Sequence, residues 1–205
     1  MKKSITLIRK IGYNKNKDFV GRETIRFNAV RRRIYMFEIG NYIIHGTTGV
    51  CQVVAVGHIA IGSMDKHRLY YTLQPIYEKR SMVYTPVESD KVVMRKVLTK
   101  EEAQNLIESI ATIELKWEED NKVRDVIYKE YMKNQKASEW MEMIKILQLR
   151  KEQLQEQGKK ITGVDEKYLH VAKEWLFGEL AISLGMEKEE IKELVMSKIA
   201  LQACN

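Results

Sequence analysis

The sequence has few cysteines and no long apolar run, and each shortage excludes a class of protein. Two cysteines, Cys51 and Cys204, cannot build a disulfide framework or a zinc cluster, which is typical of the reducing cytoplasm. No stretch of about eighteen apolar residues occurs, so no transmembrane helix is predicted. The first residues also lack the apolar core and cleavage site of a secretory signal. We therefore expect a cytoplasmic protein without membrane contact.

Motifs for catalysis or cofactor binding are also missing. The sequence contains neither the phosphate-binding pattern G-x-x-x-x-G-K-[ST] nor the dinucleotide-binding pattern G-x-G-x-x-G. Its four histidines lack metal-ligand spacing to cysteines or carboxylates. His45, beside a predicted turn, suits a hydrogen-bonded structural role. We predict no catalytic residue, no cofactor and no metal, and an enzyme is only a distant third interpretation.

Positive charge is concentrated in the first 35 residues. The net charge of the chain is +7, but residues 1–35 contain eleven basic and two acidic residues, and residues 36–205 carry a net charge of −2. Residues 1–35 show no periodicity and are predicted to form a disordered basic tail. This tail is either a nucleic-acid-binding arm or, as we favour, sequence that precedes a true start at Met36. Codons for Arg31–Arg33 can spell a purine-rich ribosome-binding site, which supports the second alternative.

Short strands are predicted from Met36 to about residue 96. Apolar or β-branched segments alternate with turn-prone glycine-containing stretches, which indicates about five strands. Five strands in sixty residues predict a small, strongly bent β-barrel of the Tudor or SH3 type. The expected core residues of this barrel are Ile39, Ile43, Val53, Val54, Tyr71, Leu73 and Val83.

Helices are predicted from residue 97 to residue 205. Thr99 and Glu102 form a capping box, and a second helix is expected to begin around Trp117. Ser138 is expected to cap a third helix, and Thr162 a fourth that closes at Gly185, before a last helix. The predicted fold class is therefore α+β in two domains, a β-barrel at 36–96 followed by a compact all-α bundle at 97–205.

Several motifs, in the right order, resemble those of the CarD family of bacterial transcription regulators. The segment 37–50, FEIGNYIIHGTTGV, is similar to the opening strand and glycine-bearing turn of that family. Leu69–Leu73 and Val83–Val87 resemble its "Y-Y-x-L" and "V-x-V-P" strands. Gly178–Ala181 resembles its "L-x-G-E-L-A" helix, and Trp117 its single tryptophan at the opening of the helical domain. The resemblance covers about residues 36–185.

The resemblance implies a function in transcription initiation. In the CarD family the Tudor-like barrel, shared with transcription-repair coupling factor, binds the β subunit of RNA polymerase. The helical domain contacts promoter DNA in the minor groove at the upstream edge of the melted bubble, where a tryptophan wedge stabilises the open complex. For this chain we accordingly expect a monomeric, nucleoid-associated regulator whose partners are polymerase and promoter DNA.

A polymerase-binding strand is predicted at the edge of the barrel. An exposed edge strand can pair with a partner strand through backbone hydrogen bonds. Pro86 is tolerated at an edge, because proline has no N–H to donate to a ladder. Tyr84 falls where the family often has a polymerase-contacting side chain, although it is equally well explained as a surface aromatic residue. The predicted polymerase-binding residues are Met82, Val83, Tyr84, Thr85 and Pro86.

A DNA-binding surface is predicted around Trp117. A large aromatic side chain can stack on an exposed base or wedge into a minor-groove step. The alternative is that Trp117 is buried against the bundle. Arg150 and Lys151 are more ambiguous, since scattered cations are usually a solvated helix face. The predicted DNA-binding residues are Trp117, Lys122, Arg124, Lys159 and Lys160.

The residues after Trp117 depart from the family pattern. Many relatives have arginines there, whereas this chain has Glu118–Asp120, which would repel phosphates. This departure favours the second interpretation, a protein–protein adaptor that uses the barrel to bind polymerase or another partner without touching DNA.

Overall fold

The computed structural model describes residues 36–203 except 47, 63, 79–80, 90 and 115. The predicted basic tail at 1–35 and Cys204 lie outside these residues. None of the helices within the described part of the chain is long and apolar enough to span a membrane.

The first part of the chain forms one antiparallel sheet of five strands in the order β4-β3-β2-β1-β5. Its segments are rich in β-branched and aromatic residues, which favour extended backbone. Gly49 begins the second strand at a φ of +78°, a conformation that favours glycine. The strands are β1 (Tyr42–His45), β2 (Gly49–His58), β3 (Leu69–Pro75), β4 (Val83–Pro86) and β5 (Met94–Lys96).

The sheet is strongly curled. His45 in β1 lies 2.9 Å from Thr85 in β4, measured between Nε2 and Oγ1. In a flat sheet these strands, three spacings apart, would be separated by about 14 Å. The curl therefore agrees with the predicted bending of the strands, while closure into a full barrel stays a prediction.

Five α-helices follow the sheet in the described part of the chain. A 3₁₀ turn, Ser109–Thr112, extends the first of them. The helices are α1 (Lys100–Glu108), α2 (Asn121–Asn134), α3 (Ala137–Glu156), α4 (Gly163–Leu184) and α5 (Lys188–Ala203).

The predicted signals at three helix ends are confirmed. The Thr99 hydroxyl accepts a hydrogen bond from the Glu102 N–H at 3.2 Å, and the Glu102 carboxylate accepts one from the Thr99 N–H at 2.8 Å. The Thr162 hydroxyl accepts a bond from the backbone N–H three residues later, in the first turn of α4. Gly185 ends α4 in the left-handed conformation, with φ of +67°.

The predicted starts of two helices are wrong. The second helix begins at Asn121 and not around Trp117, because the Asp120 carboxylate caps it by accepting the Lys122 N–H at 2.7 Å. The third begins at Ala137 and is not capped by Ser138. Gln135, in the left-handed conformation with φ of 57°, ends α2, and the extended residue Lys136 then precedes the first helical residue of α3.

The predicted core of the sheet is only partly confirmed. Four of its residues are buried, namely Ile43, Val53, Tyr71 and Leu73. The prediction that Ile39 belongs to this core is wrong, because Ile39 lies in the turn before β1 and is 62% exposed. The prediction for Val54 is also wrong: it is 37% exposed, because the β2–β3 register shifts between Val53 and Ala55 and leaves Val54 as an extra residue without a partner in β3. Val83 is half-buried.

The sheet and the helices share one hydrophobic core. Ile44 of β1 and Val50 of β2 pack in the same buried cluster as Trp140 of α3 and Leu176 of α4. The chain from Phe37 onward accordingly forms a single compact unit. The boundary of two domains near residue 96 stays a prediction.

Candidate protein-binding edge and nucleic-acid interface

Strand β4 lies at an open edge of the sheet, as predicted for the segment that ends at Pro86. The Val87 N–H donates to the Leu69 carbonyl at 2.9 Å, which fixes the phase of the β3–β4 ladder. In an antiparallel pair, alternate residues bond to the partner strand and the others direct their backbone groups away from it. The N–H and C=O of Tyr84 therefore point outward, and Pro86 falls at an outward position where it leaves no ladder bond unmade.

The side chains of the predicted polymerase-binding residues differ in accessibility. Met82 is 47% exposed, and Val83, Tyr84 and Pro86 are half-buried. Thr85 is buried, and its hydroxyl contacts His45. The Thr85 side chain therefore faces the inside of the curled sheet, and by the same ladder phase its backbone groups point toward Tyr71 of β3 and not outward.

The opposite edge of the sheet is covered by the helical region. The Gln135 side-chain amide donates to the Val93 carbonyl at 3.1 Å, just before β5. Arg95 of β5 donates from Nε to the Gln135 carbonyl at 2.6 Å. Within the described residues β4 is thus the edge that stays available to another chain.

An ion pair that sequence reasoning missed joins the sheet to α4. Arg95 binds the Glu179 carboxylate with both terminal nitrogens, and the Nη2–Oε2 distance is 2.8 Å. Glu179 has no exposed surface and also accepts the Leu98 N–H at 2.9 Å. A signal was present in the sequence, because a carboxylate inside the apolar stretch 175–181 needs a buried partner. The identity of that partner, 84 residues away, could not be inferred from spacing.

Small residues allow aromatic rings to pack between the sheet and α4. A Cβ on Gly178 would lie 2.6 Å from Cε2 of Tyr77, whose hydroxyl donates to the Gly178 carbonyl at 3.3 Å. A Cβ on Gly49 would lie 2.9 Å from Cδ1 of Trp175. Contact between α4 and the sheet region thus includes Trp175 and Gly178, the first residue of the Gly-Glu-Leu-Ala motif.

Trp117 lies in the irregular segment before α2 and is half-buried against the helical core. The Arg124 guanidinium carbon is 4.3 Å from the centroid of its ring, and that of Arg150 is 5.0 Å away. Its indole N–H is buried and has no hydrogen-bond partner in the described part of the chain. The tryptophan is therefore neither fully buried nor freely projecting.

Arg124 is buried, and its guanidinium is bound by the protein itself. Nε and Nη2 donate to the two Asp165 carboxylate oxygens at 3.2 and 2.9 Å. Nη1 donates to the carbonyls of Glu118 and Glu119 at 2.8 and 3.0 Å. Arg124 thus fixes the acidic segment next to Trp117, and this arrangement leaves it poorly placed to contact a phosphate.

The three predicted DNA-binding lysines are exposed. Lys122 lies in the first turn of α2, and Lys159 and Lys160 lie in the α3–α4 connection. The Arg124–Asp165 pair brings the start of α4 beside the Trp117 segment, and Arg150 does the same for α3. The structure therefore places the start of α4, and α3 at Arg150, next to this segment. A contact between these lysines and DNA stays a prediction.

Comparison with known proteins identifies the sheet region. Residues 37–98 match the family model of the CarD-like/TRCF RID domain, and the match ends just before α1. No curated protein matches the chain. The matched family is a protein-interaction domain, associated with RNA polymerase binding, and is not catalytic. Residues 37–98 of this chain therefore form a CarD-like/TRCF RID domain, which confirms the resemblance to the CarD family over these residues.

Proposed function

We propose that this protein is a transcription regulator that binds the β subunit of RNA polymerase and stabilises the promoter open complex. The observation that carries the proposal is the RID-domain match over a sheet whose β4 edge is open. The helical region and Trp117 would then act on DNA close to the bound polymerase, so tethering would supply affinity that a slightly acidic body lacks.

The polymerase contact is proposed to form by strand addition to β4. The outward N–H and C=O of Tyr84 would bond to an extended segment of the β subunit, and the Met82 and Tyr84 side chains would select that segment. The buried Thr85 side chain would support the strand from inside.

Replacing Tyr84 by proline tests strand addition. The substitution removes an outward N–H and leaves the β3–β4 bonds in place, so the fold should survive. We expect the affinity for a β-subunit fragment, measured by calorimetry, to fall about tenfold. A loss of this size corresponds to one missing hydrogen bond and the weakening of the bonds next to it. Tyr84→Ala is the matched control, because it removes the side chain and keeps the N–H. Equal affinities for the proline and alanine variants would contradict strand addition.

The DNA contact is proposed to centre on Trp117. The exposed part of its ring would wedge at the upstream edge of the melted DNA, where aromatic stacking on a base contributes about 1–3 kcal/mol. Lys122, Lys159 and Lys160 would contact phosphates nearby, and Arg124 would hold Trp117 in position. The RID match does not extend to this region. The proposed DNA contact is therefore supported by the half-buried Trp117 ring and the cations around it.

A second candidate function is a protein–protein adaptor that binds polymerase without touching DNA. Glu119 and Asp120 are exposed next to Trp117, and their charge would oppose a phosphate. Under this alternative, removal of the Trp117 ring would leave promoter opening unchanged.

A further inference from the structure

Arg150 of α3 is a half-buried cation for which the described residues offer no acidic partner. Its Nε is buried and makes no hydrogen bond in this part of the chain. The adjacent Lys151 is paired, with Nζ 2.8 Å from a Glu166 carboxylate oxygen. Of these two neighbouring cations on one helix, only Lys151 therefore has an acidic partner among the described residues.

Arg150 also differs from the other arginine that contacts Trp117. Arg124 donates to the Asp165 carboxylate and to two backbone carbonyls, which occupies its guanidinium. Arg150 has none of these partners, although its guanidinium carbon lies only 5.0 Å from the Trp117 ring centroid. The Trp117 indole N–H likewise lacks an acceptor among the described residues. Two contacting side chains therefore carry hydrogen-bond donors that no acceptor in this part of the protein satisfies.

We propose that Arg150 binds a phosphate of the promoter DNA beside the base step contacted by Trp117, an inference that rests on the proposed function. Arg150 and Trp117 are both half-buried and 5.0 Å apart, measured from guanidinium carbon to ring centroid, so a phosphate next to a base stacked on the ring would lie within reach of the guanidinium. A guanidinium presents a planar pair of donors that matches a phosphate. Arg150 would thus supply, from a different helix, the positive charge that Glu118–Asp120 do not provide after Trp117.

The test is the salt dependence of open-complex lifetime. Polymerase holoenzyme, promoter DNA and the full chain are combined, and the lifetime is measured at several KCl concentrations for wild type, Arg150→Gln, Arg150→Lys and Lys151→Gln. The lifetime without the protein is measured at each concentration as the reference. Lys151→Gln is the matched control, because it removes the same charge from the next residue.

We expect Arg150→Gln to shorten the lifetime about tenfold, as for loss of a charge-assisted hydrogen bond. The salt slope of the protein-dependent lifetime should fall by about 1, as for the loss of one phosphate contact. Arg150→Lys should retain the wild-type slope but only part of the lifetime, since an ammonium lacks the paired donors. Lys151→Gln should behave like wild type.

The outcomes separate this inference from the proposed function. If Trp117→Ala abolishes the effect on lifetime while Arg150→Gln matches Lys151→Gln in lifetime and slope, only the phosphate contact is overturned. If Trp117→Ala has no effect with polymerase bound, the proposed DNA function falls and Arg150 loses its role with it. Thermal unfolding checks that the glutamine variant is folded. If it is not, the lysine variant decides the same question, because a lifetime equal to that of wild type would overturn the paired phosphate contact.

Discussion

At the scale of single residues, His45 shows how a buried polar side chain sets the shape of the sheet. Its Nδ1 lies 3.2 Å from the Thr48 hydroxyl oxygen, and its Nε2 lies 2.9 Å from that of Thr85. Hydroxyl groups donate and accept, so they can satisfy both nitrogens of a neutral ring. The structural role predicted from sequence is confirmed, and the partner across the curled sheet is the new information.

Burial lowers the pKa of His45 below its ordinary value of 6.5, and stability should depend on pH as a result. The unfolded chain binds a proton at a higher pH than the folded protein, so the free energy of unfolding should fall as the pH drops below about 6.5. We expect His45→Gln to weaken this dependence. Urea unfolding between pH 5 and about pH 8 measures it.

The exposed His58 at the end of β2 is the control for this prediction. His58→Gln removes an exposed imidazole and so shows how much of any change comes from deleting a histidine as such. Identical pH profiles for wild type and His45→Gln would contradict a buried neutral imidazole.

At the scale of elements, local patterns predicted most of the architecture. Capping at Thr99 and Thr162, the left-handed Gly185 and the number of strands depend on residues close in sequence, and all agree with the structure. The start of α2 was misplaced because Asp120, and not Trp117, satisfies the first N–H groups. The spacing of apolar residues does not show which of several nearby polar residues will cap the helix.

Contacts between elements could not be predicted in this way. The Arg95–Glu179 and Arg124–Asp165 pairs join residues 84 and 41 positions apart, and only the packed helices bring them together. The sequence therefore indicated Arg124 as a basic residue near Trp117, but not that Asp165 already neutralises it. The edge position of β4 was easier to predict, because Pro86 itself indicates an edge strand.

Glu179→Gln tests how strongly the sheet is joined to α4. The substitution keeps the shape of the side chain but removes the charge that Arg95 binds, and breaking a buried pair usually costs about 3–5 kcal/mol. Since Arg95 is partly exposed, we expect a loss of about 2–3 kcal/mol in the free energy of unfolding by denaturant.

The double variant Arg95→Met, Glu179→Met is the companion to this prediction. It replaces both charges with apolar groups and should recover most of the lost stability. A change below about 0.5 kcal/mol in Glu179→Gln, the range of an ordinary surface substitution, would show that the pair does not hold the two parts together.

At the scale of the whole molecule, a RID domain and a helical region form one compact unit from Phe37 onward. A shared core and the Arg95–Glu179 pair connect the sheet that carries the β4 edge to the helices around Trp117. Binding of polymerase at the edge would therefore place Trp117 in a defined position on the promoter. This arrangement supports one protein contacting polymerase and DNA at the same time.

The lifetime of the open complex in the presence of wild type and Trp117→Ala tests that account most directly. The control is Val126→Ala, which changes an exposed apolar residue of α2. The account predicts that wild type and the control lengthen the lifetime, and that Trp117→Ala shortens it about tenfold from that level, as for the loss of one stacked ring. Equal lifetimes for wild type and Trp117→Ala, with polymerase binding unchanged, would contradict it and favour the adaptor.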